Sequence, residues 1–445
     1  MAPRRPQFPF STSNIALGTT PIETADAGLA RAIRDAAKRF RVDGARFGPF
    51  LLKGTSDVTC LTFVKGSDAW ANFYNVKASG AFCALGDFTT LHQSECGPQS
   101  GGLLLAPAPG FESALAHPVG FKNVANAKGV GESRLSYWNL IPPPHYVPLG
   151  ICFTDKYTNG PNKESYWCVH EDYVTRTGSA AFWSDRGTGF MDDMNLATVV
   201  APSVEQVNPP NILLVPPTVL STRAPIDTYV LRLDKCYLDF PESAAEAPKP
   251  DPKAVTGHIL SPGLERVQVL PWVAMANLPG AAAADSPLFF IAIKQYWRCI
   301  ETDNLAGDRT ITITSGIEES QSRQFRDKTG IELGAEVGAA AGGVSAKFTA
   351  SYSRELEVTT NNASTKRYEL REERRFTVPD GQTTAFWQRV GGIFIYNSSG
   401  DIVASAEMRY RTRGNCLHES WNGCTARLRM TSGRTCAAKE RARTG

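Results

Sequence analysis

TGIELGAEVGAAAGGVSAKFTASYS, residues 329–353, is the stretch on which the reading of this chain turns. Ile331, Leu333, Ala335, Val337 and Ala339 fall on one parity, with Glu332, Gly334, Glu336, Gly338 and Ala340 on the other. After Gly342-Gly343 the alternation resumes, with Val344, Ala346, Phe348, Ala350 and Tyr352 set against Ser345, Lys347, Thr349, Ser351 and Ser353. Strict alternation of this kind is the signature of a β-strand with two unlike faces. A Gly-Gly tip suits a tight hairpin turn, because glycine tolerates positive φ. The apolar face carries no charge before Arg354. Each arm of about ten residues spans ~33 Å and, tilted, covers ~25 Å, the height of the lipid-facing band of a membrane β-barrel. An ordinary core-facing hairpin would favour Val, Ile, Thr and aromatic residues. This one is built of Ala and Gly, which suits a ribbon that stays soluble while covered and later faces hydrocarbon.

An open hairpin in lipid leaves edge amides unpaired at several kcal/mol each, so insertion requires several copies to close a ring. A homo-oligomer on the membrane is therefore expected. Flanking strand-like arms are expected at Thr310 to Phe325, TITITSGIEESQSRQF, and at Glu357 to Val378. The region Ser286 to Ala404 resembles the aerolysin-like group that includes the epsilon-toxin and mosquitocidal-toxin proteins. The resemblance rests on TITSGIEESQSRQFRDKTGIELGAEVGA and FTVPDGQTTAFWQRVGGIFIYNSSGDIV. It implies an elongated antiparallel β-domain and pore formation.

Upstream, residues 48–240 are short aromatic and β-branched runs cut by Gly, Pro, Asn and Asp, the texture of many short strands. An internal repeat organises them. Phe73-Tyr74-Asn75-Val76 with Leu85-Gly86 recurs as Tyr137-Trp138-Asn139-Leu140 with Leu149-Gly150, and each aromatic pair follows a glycine turn, Lys65-Gly66 or Lys128-Gly129. A third copy opens at Phe182-Trp183-Ser184-Asp185-Arg186-Gly187-Thr188-Gly189 and runs through Asp192-Asp193 toward Tyr229. Three units that each leave a hydrophobic face imply pseudo-threefold closure, and a β-prism-like domain is expected. From Asp57 to Leu233 the chain resembles the module of vacuolar protein sorting-associated protein 62. The turn at Trp183 to Gly189, Leu149-Gly150 and Cys168-Val169-His170 carry that likeness, with departures at His170 and Phe190. This resemblance implies a sorting or lectin-like interaction role, an alternative to pore formation.

The remaining segments are simpler. AGLARAIRDAAKRF, within residues 1–47, places Leu29, Ile33 and Ala36 or Ala37 on one face of a helix that would pack as a lid. Residues 241–257, rich in Pro, Ala and charge, read as a linker; 258–410 form the second module; and 411–445 read as a basic, disordered tail. The fold class expected is thus mainly β, with one short N-terminal helix.

The function classes excluded follow from composition and motif. A net charge of +3 is too small for a nucleic-acid footprint. Met1 to Asn14 lacks an apolar core, so no classical signal peptide is expected, and the most apolar window, Leu270 to Ile293, is broken by Pro271, Pro279, Asp285 and Pro287. Any membrane entry must use strands. Ten scattered cysteines without CxxC pairs favour buried free thiols over disulfides or metal sites. No G-x-S-x-G, P-loop, dinucleotide fingerprint or H-E-x-x-H occurs, so no enzyme is expected. Asp185, Gly187, Gly189, Asp192 and Asp193 form an acidic glycine turn that could bind a sugar hydroxyl or Ca²⁺, although such a segment is more often only a turn. No other cofactor is implied. The partners expected are a membrane surface glycan or lipid and further copies of the chain.

Overall fold

The computed structural model describes residues 27–66, 69–91, 102–127, 134–155, 157, 160–186, 192–200, 212–249, 254–271, 288–329, 370–409, 416–422 and 425–429. Helix α1, Ala27–Asp43, buries Leu29, Ile33, Ala36, Ala37 and Phe40 along one stripe, as its periodicity requires. It ends where Gly44, at φ +77°, donates its N–H to the Phe40 carbonyl 2.9 Å away, the left-handed stop that glycine permits without strain. Rather than capping the molecule as a lid, α1 is wedged into the middle of it. Phe40 stacks on Phe290 with ring centroids 6.5 Å apart, and the apolar stripe joins one continuous core with Phe47, Phe50 and Leu52 on one side and Ile291, Ile293 and Phe394 on the other.

In the front module each repeat contributes two small antiparallel sheets, where three prism faces were expected. One sheet per repeat surrounds a shared centre: Val58–Lys65, Trp70–Val76 and Phe88–Leu91; Gly120–Ala127, Leu135–Ile141 and Ile151–Thr154; Ser179–Ser184, Asn195–Val199 and Val219–Ser221. The first hairpin of each is broken by a register shift at the same place, and the residues that bulge out are Leu61, Val124 and Phe182. All three pack against the same aromatic core. Aligned on the bulge, Phe73 and Tyr137 correspond to Leu196, so the third repeat lacks the aromatic pair. Trp183, opposite Leu196, restores the volume: Phe73 meets Tyr137, Phe153 and Trp183 edge-on at 5.7, 5.0 and 5.6 Å.

The Leu-Gly repeats explain themselves at this centre. A β-carbon added to Gly86 would lie 2.9 Å from the Gly150 Cα, and one added to Gly150 would lie 2.6 Å from the Thr218 Cβ. The three repeats therefore approach backbone to backbone. In the third copy Thr218 takes the glycine's place and its hydroxyl donates to the Leu149 carbonyl.

The second module is built on one twisted sheet. Its strands are β1 (Gly263–Pro271), β2 (Leu288–Asp303), β3 (Gly307–Ile317), β4 (Leu370–Val378), β5 (Gln382–Tyr396), β6 (Ile402–Arg409), β7 (Cys416–Asn422) and β8 (Thr425–Arg429). The spatial order runs β1, β2, β5, β6, β3, β4, with Cys236–Tyr237 outside β1. β2 pairs on both edges and is buried on both faces along its first half, which is why LFFIAI reads as an unbroken apolar run. None of the described helices is long and apolar enough to cross a membrane.

Four expectations are corrected here. The linker is not a free tether: the Ser243 and Glu246 amides donate to the Leu264 and Ser261 carbonyls at 2.9 and 3.1 Å, so it lies along β1 and covers that sheet edge. The tail contributes β7 and β8, because β6 pairs with β5 only from Val390 to Tyr396 and leaves the edge from Gln382 to Gln388 for β7. The flanking arm Thr310 to Phe325 is strand only as far as Ile317; Glu319–Thr329 is a second helix, α2. Cys60 is disulfide-bonded, whereas Cys83, Cys152, Cys168, Cys236 and Cys299 are buried free thiols.

Candidate membrane-active ribbon

β3 and β4 form an antiparallel ladder without a bulge from Gly307 opposite Val378 to Ser315 opposite Leu370. Among the described residues, β3 is paired on its other edge only at Gly316 and Ile317, to β6. The ribbon is held instead by its face. Ile311 and Ile313 are buried against Phe386, and Phe376 packs its ring 3.8 Å from that of Phe386. Polar ties fix the ends: Gln388 Nε2 donates to the Thr314 carbonyl at 2.9 Å, and Arg309 Nε pairs with Asp303 at 2.7 Å. The Leu305 N–H, and then Arg309, hold the Asp303 carboxyl below its ordinary range.

The predicted hairpin residues Ile331, Leu333, Ala335, Val337, Ala339, Val344, Ala346, Phe348, Ala350 and Tyr352, with the tip Gly342 and Gly343, lie outside the described residues. The structure describes the strands on either side of them, β3 as far as Ile317 and β4 from Leu370.

Between β3 and the predicted hairpin stands α2. Ser322, Phe325 and Thr329 are buried, and Phe325 joins the main core with Ile317. The Glu407 N–H donates to Gln321 Oε1 at 3.4 Å, tying the helix to β6. Glu407 is itself fixed by two bonds from Arg298, at 2.8 and 2.9 Å, and by the Tyr296 hydroxyl.

The acidic turn is engaged within the fold. Asp185 is fully buried and accepts from the Met194 amide, which pins the hairpin of the third repeat; burial pushes its carboxyl up to about 6. Asp192 pairs with Arg223 at 2.9 Å and accepts from the Asn126 amide at 3.1 Å, joining the third repeat to the second. The Asp193 carbonyl accepts from Arg223 at 3.4 Å, and Gly187 and Gly189 lie outside the described residues. Among the described residues no three His, Cys, Asp or Glu side chains converge as metal ligands would.

Sequence reasoning missed Asp87. It is fully buried, and its carboxyl accepts from the Phe153 amide (2.8 Å), the Val76 amide (3.3 Å), Asn75 Nδ2 (2.5 Å) and the Tyr166 hydroxyl (3.0 Å). Burial raises it to about 7 against the pull of those four donors. One side chain thus locks the first repeat to the second. The available signal was an acid wedged between Leu85-Gly86 and Phe88.

Residues 274–412 match the family model described as Insecticidal Crystal Toxin, P42. The match takes in β2 to β6 and the whole ribbon. Among solved structures, GNIP1Aa from Chromobacterium piscinae is similar at 21% identity and a TM-score of 0.33, over 44% of this chain and 37% of that one. Cry35Ab1 is similar at 10% identity and a TM-score of 0.30, over 68% of this chain and 89% of that one. No curated protein matches. These findings bring no support for the likeness of Asp57 to Leu233 to the vacuolar sorting module.

Proposed function

We propose that this chain is a toxin-like, pore-forming protein. The three-repeat module binds a glycan or lipid at a membrane surface, copies of the chain associate there, and residues 329–353 insert as a β-hairpin. The observation that carries this reading is the bulge-free β3–β4 ladder, held to the sheet chiefly by one face and flanking an alternating sequence too rich in Ala and Gly for an ordinary core. The family match over 274–412 supports the same direction. No catalytic step is assigned to the chain.

The physical steps follow from the solvent. The β3–β4 ribbon is attached by Ile311, Ile313 and Phe376 and by the Gln388 and Arg309 ties rather than by a full ladder on both edges, so it can separate from β5 at the cost of one apolar contact and two polar ones. Once in lipid its edge amides must pair with those of neighbouring copies, which makes assembly and insertion one process. Charges of the hairpin lie on the face opposite Val337 and Phe348 and would line the lumen. Replacing Val337 or Phe348 by Glu places a charge toward lipid at about 2–4 kcal/mol per copy near mid-bilayer. Such variants should bind vesicles as the parent does yet release no entrapped dye, whereas Glu336→Gln should leak normally. Undiminished leakage by Val337→Glu contradicts the assignment.

A further inference from the structure

Helix α1 sorts its side chains by charge as well as by polarity. Its buried stripe is Leu29, Ile33, Ala36, Ala37 and Phe40. At about 100° per residue, Arg31, Arg34, Lys38 and Arg41 fall directly opposite that stripe, and all four are exposed. The acids of the helix, Asp35 and Asp43, lie to one side, on the flank that carries Arg39. The solvent-facing pole is therefore a single line of cations, about 15 Å long from Arg31 to Arg41, with no acid in it. Val42, 70% exposed, stands beside its end.

Packing does not ask for this arrangement. Like charges at i,i+3 and i,i+4 destabilise a helix, and the line holds such neighbours in succession, Arg31 with Arg34, Arg34 with Lys38 and Lys38 with Arg41. The first turn contains no acid, although that is the sign the helix dipole favours there. The ties given to Arg31 and Arg34 are weak. Arg31 reaches Asp35 only at 4.0 Å, with both side chains well exposed, and Arg34 Nη1 donates to the Ser399 carbonyl at 3.4 Å. Asp401, in the same turn as Ser399, is engaged by Asn397 Nδ2 at 3.4 Å.

We propose that this line of cations docks the protein on a bilayer surface bearing anionic headgroups of the phosphatidylserine kind. Such a surface is complementary in charge to the whole line and relieves the repulsion within it, and a flat surface meets a row of cations on a convex helix all at once. Exposed Val42 enters the headgroup layer beside them. Because α1 shares one core with Phe47 and Phe50 of the front module and with Phe290 and Phe394 of the second, contact through α1 orients both modules on the membrane together. The proposal rests on the reading that the chain works at a membrane surface and adds a second contact to that of the three-repeat module. It does not depend on insertion of residues 329–353.

Co-flotation of the full chain with phosphatidylcholine vesicles, with and without phosphatidylserine, tests this. The parent should bind the anionic vesicles about tenfold more tightly or better, and high salt should abolish the preference. A basic residue near such a surface is worth about fivefold in affinity, so Arg31→Gln, Arg34→Gln and Lys38→Gln together should weaken binding about a hundredfold. The same charge removed elsewhere, as Lys122→Gln, Lys163→Gln and Lys249→Gln, should change it by less than about threefold, with the Tm of both variants near the parent's as the check on folding. Equal losses in the two variants overturn the proposal. So does binding to a heparin column that needs Arg31, Arg34 and Lys38 without any preference for phosphatidylserine, which would make the partner a sulfated glycan. If the α1 variant binds weakly while Val337→Glu leaks like the parent, docking stands and insertion falls; if the α1 variant binds like the parent while Val337→Glu abolishes leakage, docking falls and insertion stands.

Discussion

Asp87→Asn should remove most of the pH dependence that one buried acid gives to the front module. The carboxyl has an ordinary value of 3.8 and burial lifts it to about 7 in the folded chain. Between those values the unfolded chain has released its proton and the folded chain has kept it, so raising the pH favours unfolding. The contribution is present below about pH 4 and is lost as the pH climbs through 7. At about 1.4 kcal/mol per pH unit, the gap amounts to about 4 kcal/mol. For a module of this size that is on the order of 10 °C in Tm. The asparagine variant does not titrate there, and its amide turns a donor toward the Val76 or Phe153 amide, so it should be less stable than the parent at pH 5. Its curve should also be flatter, and the deficit should shrink toward pH 8. Scanning calorimetry of both proteins from pH 4.5 to 8 measures this. Asp185, raised in the same direction, is common to both and drops out of the difference. Parallel Tm curves across the range would refute the reasoning.

Two further outcomes follow from close packing and pairing. Gly150→Val should destabilise the front module by about 1–3 kcal/mol in denaturant unfolding, because its side chain would have to displace Thr218. Glu407→Gln strips Arg298 of its bidentate partner and should cost about 1–3 kcal/mol, discounted because both groups remain 17% exposed.

Much of the fold was legible because it depends on local period. The α1 stripe, the alternation of Ile311 and Ile313, and the apolar run of β2 each announce their element. The threefold was visible through glycines, since Gly86 and Gly150 are demanded by close approach. What escaped has a different physics. The third repeat's aromatic pair was sought at the wrong place, because Trp183 sits before the turn and compensates across strands for Leu196. α2 departs from the expected strand although ESQSRQF has no apolar stripe of its own; a single buried Phe325 and contacts to β6 decide its form. β7 and β8 form where β6 leaves the β5 edge unpaired, which composition cannot reveal. Nor does sequence show that Asp192 of the acidic turn faces Arg223. Asp87 was invisible for the same reason, its four donors coming from separate strands and loops.

The central claim is that the ribbon of residues 329–353 has a lipid face and a water face. An environment-sensitive fluorophore, attached singly at each position from Leu333 to Ala339 in the full chain, tests it on vesicles. The account predicts a blue shift and quenching by lipid-borne quenchers at 333, 335, 337 and 339, and neither at 334, 336 and 338. Uniform signals along the segment, or the opposite parity, would contradict it.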